Sequence, residues 1–233
     1  MPDHFLQRLR AESPVVVAAV GFVLLTCGSQ QVSDRYCGWV FMQIAYADGA
    51  WWQLGTSQWV HFGGLHAALN VTSMLLMLWA MRGLVAGRLQ CAALVGGYIG
   101  VAMVLALDPA CAYYAGASGA LHGFWAGNAV ALLVGAGTTF PRPHGLRWLG
   151  GVMLGALLAK LWWQHSAGTG QYPLPALQHL HGSLGGMNFP VYGPAHGAGA
   201  AGGVVAVLLV WLGGLCPWWA ARAPKQRPAA THE

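Results

Sequence analysis

The sequence predicts an all-α integral membrane protein, one domain built as a bundle of six transmembrane helices. Of 233 residues, 56% are hydrophobic and only 7% are charged, against roughly a quarter charged in an ordinary soluble domain. So few ionic side chains cannot cover a water-soluble globule of 24.6 kDa, and lipid must take the place of water over the apolar surface. The apolar residues also fall into separate runs, at 14–28, 60–81, 89–107, 117–136, 146–164 and 195–215, most of them near the about 20 residues that cross a bilayer core. Short connections leave little room for a second, soluble domain.

The first run, 14–28, follows a modest basic stretch and reads as a signal anchor, because no small-x-small cleavage site comes after it. Leu24-Leu25-Thr26-Cys27 is a poor lipidation box, since threonine is ill-suited to the place before the cysteine. The segment 29–59 is long for a bundle connection and carries Trp39, Phe41, Tyr46, Trp51, Trp52 and Trp59. Such amphipathic rings settle at the membrane interface, so this segment is expected to lie along the outer surface.

Charge placement orients the remaining runs. Arg8, Arg10, Arg82, Arg88, Arg142, Arg147, Arg222, Lys225 and Arg227 all fall on one side of the six-span scheme, and only Arg35 falls in an outward loop. Lys160 sits near the outer end of the fifth run, where its stem lets the ammonium snorkel. The positive-inside rule then places both termini in the cytoplasm. The net charge of +5 is not arranged as a basic stripe interleaved with aromatics, so nucleic acid is excluded as a partner. The outward segment 165–194 contains neither Lys nor Arg.

Five cysteines show no CxxC pair, which gives no support to cysteine-based zinc or redox chemistry. Cys37 and Cys111 both fall in outward loops, where an oxidising exterior permits a disulfide; unpaired burial as small apolar residues is the alternative.

Of ten histidines, four stand at or within apolar runs: His61, His66, His122 and His196. Ionisable groups are costly in a membrane and tend to mark function. His61, His66 and Asn70 open the second run, Ser118 and His122 the fourth, and His196 the sixth. Even-numbered spans all start outside, so these groups meet at one depth. His66 and Asn70 share a helix face at i,i+4, as do Ser118 and His122. Gly119, Gly123 and Gly127 recur at i,i+4 on the fourth run, and Gly199 and Gly203 on the sixth. Rows of small residues let helix backbones touch, which brings Ser118 and His196 within hydrogen-bond reach. A serine beside a histidine base is the minimum for covalent acyl transfer. His66, Asn70 and the free N–H groups around Gly119 are suitable donors to an oxyanion. Asp34, Asp48 and Asp108 all lie in outward loops, so a Ser-His dyad fits better than a triad.

Three stretches carry a family resemblance: HFGGLHAALN at 61–70, GASGALHG at 116–123 and AHGAGAAGG at 195–203. In this order, on the second, fourth and sixth runs, they resemble the rhomboid intramembrane serine proteases over nearly the whole chain. The resemblance implies a six-helix rhomboid-like bundle in which Ser118 is the nucleophile, His196 the base and then the acid, and His66 and Asn70 the oxyanion-hole side chains. It implies no cofactor and no metal, an aromatic loop packed sideways in the membrane, and a mobile lid in 165–194. Gln53, where a Trp-Arg pair is common in the family, departs from the pattern and weakens an ionic role for that loop.

His122 stands where many rhomboids carry an aromatic residue, four places after the serine. Its expected roles, in order, are a ring-stacking partner, a second proton relay and a polar spacer; His61 is an accessory candidate. GASGALHG is similar to the rhombosortase branch, compact bacterial proteins. That implies an inner-membrane protease whose transmembrane substrates carry a C-terminal Gly-Gly motif, a hydrophobic helix and a basic tail, cut near the periplasmic face. The alternatives are a general rhomboid protease of transmembrane helices, an inactive rhomboid-like binding protein, and a histidine-based metal or transport protein; the last lacks an HExxH motif and an intramembrane carboxylate.

Overall fold

The structure is a computed structural model describing residues 2–30, 36–136, 144–166 and 192–215. It is mostly helical. Six long helices dominate: α1 (Pro2–Gln30), α5 (Gly64–Met81), α6 (Gly87–Leu107), α7 (Ser118–Val134), α8 (His144–Ser166) and α9 (Gly193–Leu215). Three short ones, α2 (Tyr36–Trp39), α3 (Gln43–Ala47) and α4 (Gln53–Thr56), fill the connection between α1 and α5. Each expected apolar run falls on one long helix. Gly64–Met81, Gly87–Leu107 and Gly193–Gly214 are long and apolar enough to cross a membrane.

One departure from the all-α expectation is a two-stranded antiparallel pair, β1 (Phe41–Met42) with β2 (Tyr113–Tyr114), in the register Phe41 to Tyr114 and Met42 to Tyr113. Two residues per strand are too few to leave an alternating pattern in the sequence. A second is the start of α5, at Gly64 instead of residue 60. Gly63 has φ +107 and breaks the helix there, which leaves His61 in the turn before it. The expected outward loop at 165–194 lies largely outside the described residues.

The apolar belt is continuous with what lipid would require. Leu69, Leu76 and Trp79 on α5, Val95, Ile99 and Met103 on α6, Trp148, Val152 and Trp162 on α8, and Val205 and Leu209 on α9 are all exposed. By contrast α7 exposes no large apolar side chain and packs against α6, α8 and α9, with α5 along one flank. It is the buried axle of the bundle.

Glycine makes that central packing possible. A Cβ on Gly199 of α9 would stand 2.0 Å from the Gly119 carbonyl oxygen of α7, and one on Gly203 would stand 2.1 Å from that of Gly123. On the other flank, a Cβ on Gly100 of α6 would meet the Ala198 carbonyl oxygen at 2.2 Å. Since lipid tails are as apolar as leucine, close backbone packing replaces the hydrophobic effect as the attraction between helices. The glycines at 119, 123, 127, 199 and 203 do lie in this seam, joined by Gly96, Gly97 and Gly100 of α6.

The segment 36–63 is folded through its polar side chains. Gln53 is buried and its amide oxygen accepts the Met42 N–H at 3.0 Å. Gln58 donates to the carbonyls of Leu54 and Tyr98 at 3.0 and 3.1 Å, which ties the segment to α6. Gln53 is therefore a backbone clamp. Ile44, Trp51 and Trp52 project outward from this unit.

Candidate active site

The turn before α7 is pinned at three points. Gly116 has φ +122, a region that side chains rarely adopt, and its N–H donates to the Ser57 carbonyl at 2.9 Å. A Cβ there would also lie 2.7 Å from Cε1 of His66. The Ala117 N–H donates to Nε2 of His61 at 3.3 Å, and the opposite ring nitrogen, Nδ1, faces the Trp59 carbonyl at 3.1 Å. Nδ1 must therefore carry the proton and Nε2 the lone pair. His61, fully buried and set edge-on to His66 with ring centres 4.9 Å apart, is a strut for the loop that delivers Ser118.

Ser118 is the first residue of α7, and its Oγ lies 2.9 Å from Nε2 of His196 on the first turn of α9. Gly119 permits this approach, for a Cβ on it would stand 2.9 Å from the Ala195 carbonyl oxygen and 2.5 Å from Val101. Both glycines of the Gly-Ala-Ser-Gly stretch thus have a steric reason: one sets the turn, the other lets α9 close on the serine.

His122 stacks flat on His196, with ring centres 4.1 Å apart and planes 9° from parallel. Its Nδ1–H donates to the Ser118 carbonyl at 2.6 Å, while its buried Nε2 has no hydrogen-bond partner among the described residues. The stacking role fits this geometry, whereas a relay would need a ring nitrogen aimed at another titratable group. Face-to-face rings also cannot direct both in-plane lone pairs at one metal ion. Replacing His122 by Phe should keep the stack and leave activity near wild type, whereas His122→Ala removes an aromatic pair worth about 0.5–1.5 kcal/mol and should cost up to roughly tenfold in turnover; initial rates of the two variants check this.

A cavity of about 430 Å³ opens beside Ser118 between α5 and α8, floored by α7, and Asn70, Leu121, His122, Trp125 and Lys160 are among its lining residues. Asn70 is buried, and its Nδ2 has no hydrogen-bond partner among the described residues. A buried donor left open is costly unless something else satisfies it, and Asn70 lines the same cavity as Ser118. Lys160 lines this cavity.

Nδ1 of His196 faces Oε1 of Gln164, near the end of α8, at 3.0 Å. Nothing in the sequence singles out this residue, since a glutamine at a helix end reads as ordinary interface polarity. Asp108, in the loop after α6, accepts from the Tyr192 hydroxyl and from the Ala110 N–H. Those two donors hold its carboxyl below the usual range.

No protein-family model, curated protein or solved structure matches this chain. Among the described residues no three His, Cys, Asp or Glu side chains are grouped as a metal site. Cys111 is a free thiol buried under the strand pair, donating to the Tyr113 carbonyl at 3.6 Å, so the disulfide with Cys37 is not formed here. Burial, with Asp108 nearby, pushes this thiol up to about 12 and leaves it a poor nucleophile. The side chain of Cys37 lies outside the described residues.

Proposed function

We propose that the chain is a rhomboid-type intramembrane serine protease with Ser118 as nucleophile and His196 as general base. The observation that carries this reading is the 2.9 Å contact between Ser118 Oγ and His196 Nε2, at the edge of a cavity bordered by the open Asn70 donor. In this reading all six long helices span the bacterial inner membrane, both termini are cytoplasmic, and the site faces the periplasmic side.

The chemistry follows from the geometry. His196 Nε2 takes the Ser118 hydroxyl proton as Oγ bonds to the carbonyl carbon of the scissile peptide. The oxyanion forms against Asn70 Nδ2, His66 and the Gly119 N–H, one of the amides of the first helical turn that lack an intrahelical partner. Collapse breaks the C–N bond, and the leaving amine takes the proton from His196. Water, activated by the same imidazole, then releases the acyl group from Ser118. Asn70→Ala should lower kcat by about 10²–10³-fold with little change in melting temperature, because Nδ2 has no hydrogen-bond partner among the described residues.

The proposed substrates are exported proteins anchored by a C-terminal Gly-Gly, hydrophobic-helix and basic-tail signal. Co-expression with such a protein, followed by mass spectrometry of the released C-terminus, tests this. A cut near the glycines that vanishes with Ser118→Ala is the expected result. If an amine resolves the acyl-enzyme in place of water, the new C-terminus carries that amine's mass. Cleavage that persists in Ser118→Ala would contradict the serine mechanism.

A further inference from the structure

We infer that Gln164 is the positioning residue that locks His196 in the base-competent tautomer, making the working unit Ser118-His196-Gln164 in place of a bare dyad. The inference rests on the assignment of Ser118 and His196 above. A serine O–H can donate to Nε2 only while that nitrogen is unprotonated, so the neutral ring must carry its hydrogen on Nδ1. An Nδ1–H deep in a bundle needs an acceptor, or the other tautomer gains ground and the serine loses its base. The Gln164 amide oxygen, 3.0 Å away, is that acceptor.

Among the described residues, no other side chain is hydrogen-bonded to Nδ1 of His196. His122 lies flat against the ring face, and its Nδ1 is committed to the Ser118 carbonyl. Lys160, one turn before Gln164 on α8, and His66 on α5 are the other titratable groups whose charge acts on the ring; a lysine has no acceptor. Asp108 is held by Tyr192 and Ala110. Gln164 also comes from α8, so it ties an imidazole carried on α9 and stacked on α7 to a third helix. A neutral amide orients the ring without adding the charge that a carboxylate would bring to a buried site.

The test needs no natural substrate. A fluorophosphonate probe reacts when Ser118 Oγ bonds to phosphorus, fluoride leaves with the P–F electrons, and the hydroxyl proton passes to His196. The labelling rate of the detergent-solubilised full chain against pH reports the base directly. Gln164→Leu removes the acceptor and surrounds Nδ1 with hydrocarbon. The labelling rate should fall about 100-fold, the scale that accompanies a misplaced catalytic group, and the acid limb should move to lower pH because the imidazolium is less favoured. Gln164→Glu keeps an acceptor but adds a negative charge that favours the imidazolium. Since only the neutral ring accepts the serine proton, its acid limb should move up by about one pH unit or more, with a high-pH rate near wild type.

A residue that merely packs would lower both rates without moving the limbs in opposite directions. Wild-type labelling at Ser118 with unchanged rates and limbs in both variants overturns the role of Gln164 alone. Absence of wild-type labelling at Ser118, in protein that melts cooperatively, overturns the serine assignment and the inference with it. Should Gln164→Leu fail to fold, the upward shift in Gln164→Glu decides by itself.

Discussion

Ser118→Ala is expected to lose cleavage by on the order of 10³-fold or more, because Ser118 is the hydroxyl paired with a histidine base among the described residues of the site. The fold should persist. The substitution deletes one neutral hydrogen bond, worth about 1 kcal/mol, and places alanine, the best helix former, in the first turn of α7. His196→Ala should remove activity to the same extent, since the serine hydroxyl then has no proton acceptor. It also removes a ring packed at 4.1 Å on His122, so its melting temperature should fall more than that of Ser118→Ala. The double variant is expected to be no less active than either single one, because the pair works as a unit. Far-UV circular dichroism melts alongside the cleavage assay separate lost chemistry from lost structure.

The second large effect is steric and originates away from the reacting atoms. Gly199→Ala sets a methyl group 2.0 Å from the Gly119 carbonyl oxygen and 2.6 Å from its carbon. Both are backbone atoms, with no rotamer to move aside. Ordinary carbon contacts need about 3.5 Å, so α7 and α9 must part by roughly 1 Å or more. Such overpacking costs about 1–3 kcal/mol. The neighbours of that contact are Ser118, one residue away on α7, and His196, one turn away on α9. Parting the helices therefore stretches the Ser118–His196 contact, and a loss of about 100-fold in activity is expected. Gly199→Leu should prevent assembly of the bundle. Gly197, on the same helix, has nothing within 4 Å of a built Cβ, so Gly197→Ala should melt and cleave like wild type. A similar loss in Gly197→Ala would show that helix α9 tolerates no substitution of this kind, and that the seam itself is not the cause.

Much of the site was legible because membrane folding leaves large compositional marks. Polar groups inside apolar runs stand out, and rows of small residues mark close helix contacts. Ser118, His122 and His196 are in contact, and Asn70 borders the same cavity as Ser118; the placement of polar residues within apolar runs pointed to each of them. The glycines of α7 and α9 needed only their spacing. Three things were not legible, each for a physical reason. Gln164 lies where a helix leaves the apolar region, and there a polar residue carries no excess cost to flag it. His61 has the same composition and context as a catalytic histidine, and only its two hydrogen bonds, to Ala117 and Trp59, reveal a strut. The pairing of Phe41–Met42 with Tyr113–Tyr114 joins segments about 70 residues apart, with α5 and α6 between them in the chain. Cys111 illustrates the reverse case: its place between two apolar runs permitted oxidation, but among its exposed neighbours the Cys111 side chain alone turns in and is buried as a free thiol.

The most direct measurement is peptide mapping of the purified chain after treatment with a fluorophosphonate. Ser118 activated by His196 gives a single phosphonyl adduct on the peptide containing residue 118, strongly reduced in His196→Ala and absent in Ser118→Ala. An adduct on Ser118 that forms as fast in His196→Ala as in wild type, or no adduct on that serine at all, would contradict a histidine-activated nucleophile.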